Sequence, residues 1–163
     1  MNKTTEFVLR KGQLADLEEL QRLYVDTITE VCKSDYNEDQ IEAWTSDTKN
    51  NSNSQRWLDT LTKKYVLVAQ KDNEIIGFIT LANGNYIDFL YVHKNYQRQG
   101  VADSLFKHIE NIARQQKQSI LTSDVSKTAR PFFEMQGFQI VKKQSVVRHK
   151  VELTNFKMKK ELD

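Results

Sequence analysis

The stretch "VHKNYQRQGVADSLF", Val92 to Phe106, decides how this chain folds and what it binds. It contains one of only 5 glycines in 163 residues, Gly100, which follows Arg98 and Gln99. Apolar residues with helical spacing begin directly after it, at Val101. The free N–H groups at the start of a helix favour an anion, and glycine lets a ligand approach the backbone. The stretch therefore indicates either an ordinary strand-to-helix turn or a loop that holds a phosphate.

Two common phosphate-binding loops do not fit this stretch. A P-loop needs Gly-Lys-Ser or Gly-Lys-Thr after its glycines, and "RQGVAD" has neither. A dinucleotide-binding fingerprint needs three spaced glycines, and only Gly100 is present. What remains is Gln-x-x-Gly-x-Ala, formed by Gln97, Gly100 and Ala102. On these residues alone, the turn and the phosphate loop both stay open.

Composition narrows the class of protein. A length of 163 residues predicts one domain that spans residues 1–163. The 24 basic and 22 acidic residues nearly balance, so nothing favours nucleic acid or an anionic membrane as partner. The single cysteine, Cys32, excludes an internal disulfide, and the three histidines have no metal-ligand spacing with it. No apolar run is long enough for a membrane span or a signal core. We therefore expect a cytoplasmic protein without a metal.

Periodicity predicts a mixed fold in the order β-α-α-β-β-β-α-β-α-β-β, of the α+β or mixed α/β class. Asp16 and Glu19 resemble a capping box at the first helix. The Asn- and Ser-rich stretch Thr45 to Gln55 predicts a mobile surface loop. "NGN" at Asn83 to Asn85 predicts a tight turn between two antiparallel strands. Cys32 falls on the apolar face of the first helix, which predicts a buried, inert thiol.

Three motifs together resemble the GNAT superfamily of acyl-CoA-dependent N-acyltransferases. They are "LYVHKNYQRQGVA", "ARPFFEMQGF" about 40 residues later, and the opening "FVLRKGQLADLEEL". "IDFLYVHKNYQRQGVA", "TARPFFEMQGF" and "VELTNFKMKK" look most like its YafP-like branch. The resemblance covers nearly the whole chain. It implies a central, mostly antiparallel sheet, splayed at the CoA site and flanked by helices.

The resemblance also implies a site for acetyl-CoA as co-substrate. Backbone amides of the loop from Gln97 to Ala102 would hold the pyrophosphate, and Leu90 and Val92 would pair with the pantetheine arm beside a β-bulge. The amide of Val92 would contact the thioester oxygen, and Arg98 and Lys127 are candidates for the phosphates. The full expected set on the CoA side is Leu90, Tyr91, Val92, Gln97, Arg98, Gln99, Gly100, Val101, Ala102, Ser126 and Phe133.

The catalytic groups depart from the family's pattern. Where many members have a tyrosine that protonates the leaving sulfur, this chain has Phe133, and Ser126 stands where Asn is frequent. Asp88 is the candidate base because strand alternation places it on one face with Tyr86, Leu90 and Val92. A structural role for Asp88 is the alternative. Three tyrosines could replace the missing acid: Tyr36, Tyr86 and Tyr91. The expected acceptor side comprises Tyr36, Trp44 and Tyr86.

Two functions follow from these residues. The first is an N-acetyltransferase that moves an acetyl group from acetyl-CoA to a small-molecule or peptide amine by direct attack. The second is a non-catalytic acyl-CoA-binding regulatory module. This alternative stays open because Phe133 stands where many members have the tyrosine acid. Both readings allow a homodimer, and neither needs nucleic acid or a membrane.

Overall fold

The computed structural model describes residues 6–163, in which seven strands form a single sheet. Five helices lie against the two faces of this sheet. The strands are β1 (Val8–Lys11), β2 (Tyr65–Lys71), β3 (Glu74–Ala82), β4 (Tyr86–Val92), β5 (Ile120–Ser126), β6 (Gln139–Arg148) and β7 (Val151–Glu161). The helices are α1 (Leu17–Val31), α2 (Glu38–Lys49), α3 (Ser54–Lys63), α4 (Val101–Gln115) and α5 (Arg130–Met135).

The strand order across the sheet is β1-β2-β3-β4-β5-β7-β6. Every neighbouring pair is antiparallel except β4 and β5, which are parallel. The predicted mixed α/β class with a mostly antiparallel sheet is confirmed. Three helices connect β1 to β2, and α2 and α3 correspond to the stretches "NEDQIEAW" and "SQRWLDTLTKK", which predict two short helices. Within residues 6–163, no helix is long and apolar enough to cross a membrane.

The predicted loop from Thr45 to Gln55 is wrong for most of its length. Helix α2 continues through Lys49 and α3 begins at Ser54, so only a short turn separates them. The reason is tertiary packing, which overrides the weak helix propensity of this stretch. Thr48 is 5% exposed, and its hydroxyl accepts a hydrogen bond from the indole N–H of Trp57, which is itself 1% exposed.

The start of α1 also differs from the predicted capping box. Asp16 makes no side-chain hydrogen bond to the first turn of α1. Its carboxylate instead accepts two bonds from the guanidinium of Arg10, at 2.8 and 2.9 Å, and one from the backbone of Gln13. Glu19 accepts a bond from the backbone N–H of Ile75. Both carboxylates therefore join α1 to the sheet region rather than closing the helix end.

Apolar side chains form one core on each face of the sheet. The first core lies under α4 and α5 and includes Leu105, Phe106 and Phe133. The second core lies under α1, α2 and α3 and includes Tyr24 and Trp57. These two cores fix the sheet between two helical layers, and the strand that matters for function, β4, contributes to both.

Cys32 lies in the second core and is 5% exposed, as predicted. Burial raises the pKa of its thiol to about 11. The thiol is therefore protonated at neutral pH and enclosed, which excludes it as a nucleophile.

Candidate active site

A β-bulge interrupts β4 in the middle. Leu90 pairs with Ile79 and Ile87 pairs with Leu81, so Asp88 and Phe89 both lie opposite Thr80. The hydroxyl of Thr80 accepts a hydrogen bond from the N–H of Phe89 at 2.9 Å, which satisfies the amide that the bulge removes from the ladder. This is the bulge that the resemblance implied, and it bends the strand.

The bulge corrects the predicted face of Asp88. The extra residue breaks the two-residue alternation of the strand. Leu90 and Val92 pack in the first core, whereas Asp88 points to the opposite face, where it meets Lys64 and Arg56. The expectation that Asp88 shares a face with Leu90 and Val92 is therefore wrong.

Strands β4 and β5 separate directly after the bulge begins. They pair only at Tyr86 with Thr122 and at Ile87 with Ser123. The buried hydroxyl of Ser123 donates to the carbonyl of Ile87 at 2.7 Å, at the last residue pair of the ladder between the two strands. Strand β5 continues along β7 as far as Ser126. A gap thus opens between β4 and β5 within an otherwise continuous sheet.

Backbone groups of β4 point into this gap. The N–H of His93 donates to Ile76 on the β3 side at 2.8 Å. Antiparallel pairs alternate between bonded and non-bonded positions, so in the register of β3 and β4 the amides of Leu90 and Val92 face away from β3. They point towards β5, where the gap removes the partner strand. An extended ligand could pair with both residues as an added strand.

Gly100 heads α4 in a conformation that suits glycine. Its φ is +85°, and a Cβ placed on it would meet nothing within 4 Å. Arg98, two residues earlier, is exposed and has a φ of +59°. The first turn of a helix leaves amides without a helical acceptor, and Gly100 has no side chain to cap those of Val101 and Ala102. The loop therefore presents an open, amide-lined concavity at the positive end of a 15-residue helix.

Gln97 has a different task from its neighbours. Its side-chain amide donates to the carbonyl of Val92, and the hydroxyl of Thr27 donates to the same carbonyl at 3.3 Å. The side chain therefore ties the loop to the end of β4. Of Gln97, only the backbone remains for a phosphate.

A cavity of about 300 Å³ lies beside the gap and is lined by residues of both cores. It gathers most of the residues predicted for the acceptor side and for the reaction. Of the predicted residues, those that line it are Tyr36, Trp44, Tyr86, Asp88, Leu90, Tyr91, Ser126 and Phe133. Residues from Gln97 to Ala102 lie outside the cavity, at the head of α4.

Phe133 is 3% exposed and packs edge-on against Phe138, with ring centres 5.0 Å apart. The hydroxyl of Ser126 accepts a hydrogen bond from the N–H of Ala129 at 3.0 Å, so it supports the turn into α5. Neither side chain offers an acidic proton to the cavity.

The three candidate tyrosines differ in what their hydroxyls contact. Tyr36 donates to the carbonyl of Thr154 at 2.6 Å and accepts from the backbone of Lys127 at 2.9 Å. Tyr86 donates to Asp124 at 2.9 Å, and burial together with that carboxylate raises its pKa. Burial raises the pKa of Tyr91 well above its ordinary value, and no residue in the 6–163 range hydrogen-bonds its hydroxyl.

Asp88 is held by two cations. Its Oδ2 lies 2.6 Å from the ammonium of Lys64, and its Oδ1 lies 3.5 Å from the guanidinium of Arg56. Its side chain is 14% exposed. Because both oxygens already face positive charge, these contacts favour the structural role for Asp88.

Sequence reasoning missed three charged residues of the cavity: Arg56, Asp124 and Arg148. The guanidinium of Arg56 also lies over the ring of Phe89, 4.8 Å from its centre. No local motif marks these positions, since each comes from a different part of the chain and only the sheet order brings them together. The ammonium of Lys127, a predicted phosphate contact, lies over the ring of Tyr36 at 5.3 Å.

Three features together define a fold of the GNAT class. The sheet opens between β4 and β5, a helix headed by a glycine follows β4, and a cavity lies beside the gap. A family model described as "Acetyltransferase (GNAT) domain" matches residues 32–162. This chain belongs to that family and is an acetyltransferase. It falls in the YafP-like branch, because it is 36% identical over 151 residues to the uncharacterised N-acetyltransferase YafP of Escherichia coli strain K12, covering 93% of each chain.

Solved structures agree with this assignment. A GCN5-related N-acetyltransferase from Rhodopseudomonas palustris superposes with a TM-score of 0.90 and 27% identity over 99% of each chain. The PaiA N-acetyltransferase from Thermoplasma acidophilum, solved in complex with coenzyme A, gives a TM-score of 0.76 at 19% identity, over 97% of this chain and 100% of that one. At that identity, the second likeness shows the fold alone.

Proposed function

We propose that this acetyltransferase moves the acetyl group of acetyl-CoA to the nitrogen of an amine by direct attack on the thioester. The single observation that carries the proposal is the gap between β4 and β5. It begins at the bond between Ser123 and Ile87 and leaves the amides of Leu90 and Val92 without a partner strand. An extended pantetheine arm fits such a gap as a substitute strand.

The residues around the gap fit the remaining parts of acetyl-CoA. The loop from Gln97 to Ala102, with open space at Gly100, would take the pyrophosphate on backbone amides. Exposed Arg98 adds a positive charge at the same loop. Val92 would donate its amide to the thioester oxygen as negative charge builds there, an oxyanion contact that supplies no proton. Leu90 offers a second amide in the same gap, nearer to the bulge.

The proposed reaction requires a base for the acceptor amine but no general acid for the leaving sulfur. The acceptor must lose a proton, and the CoA sulfur must leave. A thiol has a pKa near ~8.5, so the sulfur can leave as a thiolate without Phe133 supplying a proton. For the base, Asp88 remains the prediction from sequence, although its two cations argue against it. Among residues 6–163, Asp124 accepts hydrogen bonds from the neutral donors Tyr86 and Gln144 and from no cation, and it is the better-placed carboxylate to receive a proton through water.

The test combines binding with turnover. Calorimetry with acetyl-CoA measures the first, and thiol release across a panel of amines measures the second. We expect saturable binding and amine-dependent release of CoA. Absence of binding at millimolar ligand rejects the proposal, and binding without release on any amine favours the non-catalytic regulatory module.

A further inference from the structure

One charged side chain in the cavity lacks a counterion. Arg148 lies near the end of β6, is half-buried and lines the cavity. Across residues 6–163, its guanidinium makes no hydrogen bond or ion pair. The other guanidinium of the cavity, Arg56, is already engaged by Asp88, which also binds Lys64. The cavity is lined by two carboxylates, Asp88 and Asp124, and by the guanidinium groups of Arg56 and Arg148. Asp88 pairs with Arg56 and Lys64, and among residues 6–163 neither carboxylate pairs with Arg148.

Asp47, an acid whose pKa the charge of Arg148 helps to lower, is bonded to other residues. One oxygen of Asp47 lies 2.9 Å from Nε2 of His149 and accepts a bond from the hydroxyl of Ser52 at 2.9 Å. Two partners therefore hold this carboxylate outside the cavity. An anion that enters the cavity would find Arg148 available.

The opposite charge lies across the same cavity. Asp124 stands one residue beyond Ser123, where the gap between β4 and β5 opens. Its oxygens accept from Tyr86 and Gln144, and neither donor is charged. Gln144 and Arg148 are four residues apart on β6, which corresponds to about 13 Å along a strand. The carboxylate of Asp124, which has no cationic partner within residues 6–163, thus lies at the gap, and the guanidinium of Arg148 lies some distance from it.

We propose that the acetyl acceptor is an amine that also carries an anionic group, a carboxylate or a phosphate, and that Arg148 binds this group. The inference rests on the function proposed above. A guanidinium binds a carboxylate or phosphate through two parallel N–H···O bonds, which fixes position as well as adding affinity. Asp124 draws the ammonium end towards the gap, where the thioester would lie. The spacing along β6 favours an acceptor whose amine and anion are separated by several bonds.

The test uses amines in matched pairs. Glycine, β-alanine and aminohexanoate are each compared with their own primary amide, which removes the negative charge and keeps the length. Aminopropylphosphonate distinguishes a phosphate-type anion from a carboxylate. In aminohexanoate the two groups are far apart, so the amide leaves the basicity of the amine almost unchanged. We expect kcat/KM to favour the charged member of the longer pairs by about 10- to 100-fold, the range of one charged hydrogen-bonded contact.

Variants then assign the preference to one residue. Arg148→Gln should lower kcat/KM for aminohexanoate by about 10- to 100-fold, mainly through KM, and change its amide by less than about threefold. Arg148→Lys should recover part of the loss. Lys143→Gln is the matched control, because it removes a positive charge from an exposed position of the same strand. Equal use of charged and amide acceptors by the wild type overturns the inference, as does an equal loss on both with Arg148→Gln.

A binding measurement separates this inference from the proposed function. Calorimetry of aminohexanoate with CoA-saturated protein reports on the subsite without any turnover. Binding that Arg148→Gln abolishes supports the subsite even if no amine is acetylated, and in that case only the proposed reaction fails. Acetylation of neutral amines without such binding overturns the inference alone. Neither turnover nor binding overturns both.

Discussion

The loop at the head of α4 gives the sharpest test of CoA binding, through Gly100→Glu. A Cβ at this position meets nothing within 4 Å, so a longer side chain would extend into the space that the proposed function assigns to the phosphates. The φ of +85° means that any side chain is strained there, by about 1–2 kcal/mol. Gly100→Ala carries the same backbone strain without charge or length. It is therefore the matched control.

The size of the effect follows from Coulomb's law. A carboxylate about 5 Å from one phosphate charge is repelled by about 1 kcal/mol in bulk water and by about 3 kcal/mol at an effective dielectric constant of 20. This corresponds to a loss of about 5- to 150-fold in affinity for each phosphate charge, beyond any loss in Gly100→Ala. Helix stability should not suffer, because a negative charge at a helix start is favourable.

Calorimetry with CoA at low and high salt checks this expectation. The Debye length falls from about 10 Å at 0.1 M to about 3 Å at 1 M, so the difference between Gly100→Glu and Gly100→Ala should shrink as salt rises. Thermal melting of both proteins controls for folding. Equal CoA affinity in the two folded variants refutes the phosphate-loop reasoning, and a salt-independent difference points to steric exclusion instead of charge.

Four further outcomes are expected. Phe133→Tyr should leave turnover unchanged or lower it. It should also cost about 1–3 kcal/mol of stability if the buried hydroxyl finds no partner. A gain of up to about two orders of magnitude in kcat at unchanged CoA affinity would instead show that the wild type works without an acid. Asp88→Asn should lower stability by about 1–3 kcal/mol, as measured by denaturant unfolding, and activity should be lost only as the protein unfolds. A strong fall in kcat in fully folded protein, together with loss of the acidic limb of the pH–rate profile, supports the base role instead. Hydrogen bonds from Arg10 hold the pKa of Asp16 below its ordinary value, so this stabilisation is present above about pH 4 and is lost as pH falls through the lowered pKa. Asp16→Asn should therefore cost about 2 kcal/mol at pH 7 and progressively less in acid, as unfolding measured across pH will show. Cys32, whose pKa burial raises to about 11, should not react with an aromatic disulfide reagent at pH 8 until the protein is denatured, and rapid labelling of native protein contradicts its burial.

Local backbone chemistry made much of the fold predictable. Asn83 and Gly84 adopt φ values of +55° and +77°, which is the geometry that an Asn-Gly turn favours. Gly137, at +94°, ends α5 as predicted. Gly100 heads α4 in the same region of φ. The backbone conformation at each of these positions depends on the residue type found there, so the sequence alone is sufficient to predict it.

Features that depend on distant partners were not predictable in this way. Helix α2 continues through a polar stretch of sequence because Thr48 accepts a hydrogen bond from Trp57 in the second core. The site of Arg148 depends on the order β5-β7-β6, which the strand pattern does not specify. Periodicity assigned Asp88 to the wrong face because alternation fails across a bulge. The inserted residue of the bulge therefore changes the face on which the following side chains of β4 lie, and a local sequence pattern does not predict this change.

Side chains of the protein hydrogen-bond the backbone of β4 at both ends of the gap between β4 and β5. At one end, Ser123 donates to Ile87 and keeps the last parallel pair closed. At the other end, Gln97 and Thr27 both donate to the carbonyl of Val92. The bulge between these clamps takes up the extra residue, and Thr80 satisfies the amide it frees. A strand-like ligand therefore meets amides that are already oriented, and little of its binding free energy is needed to order the site. In the proposed function, the same rigidity would hold the thioester in one position for attack, and such positioning can lower the barrier without a tyrosine at position 133.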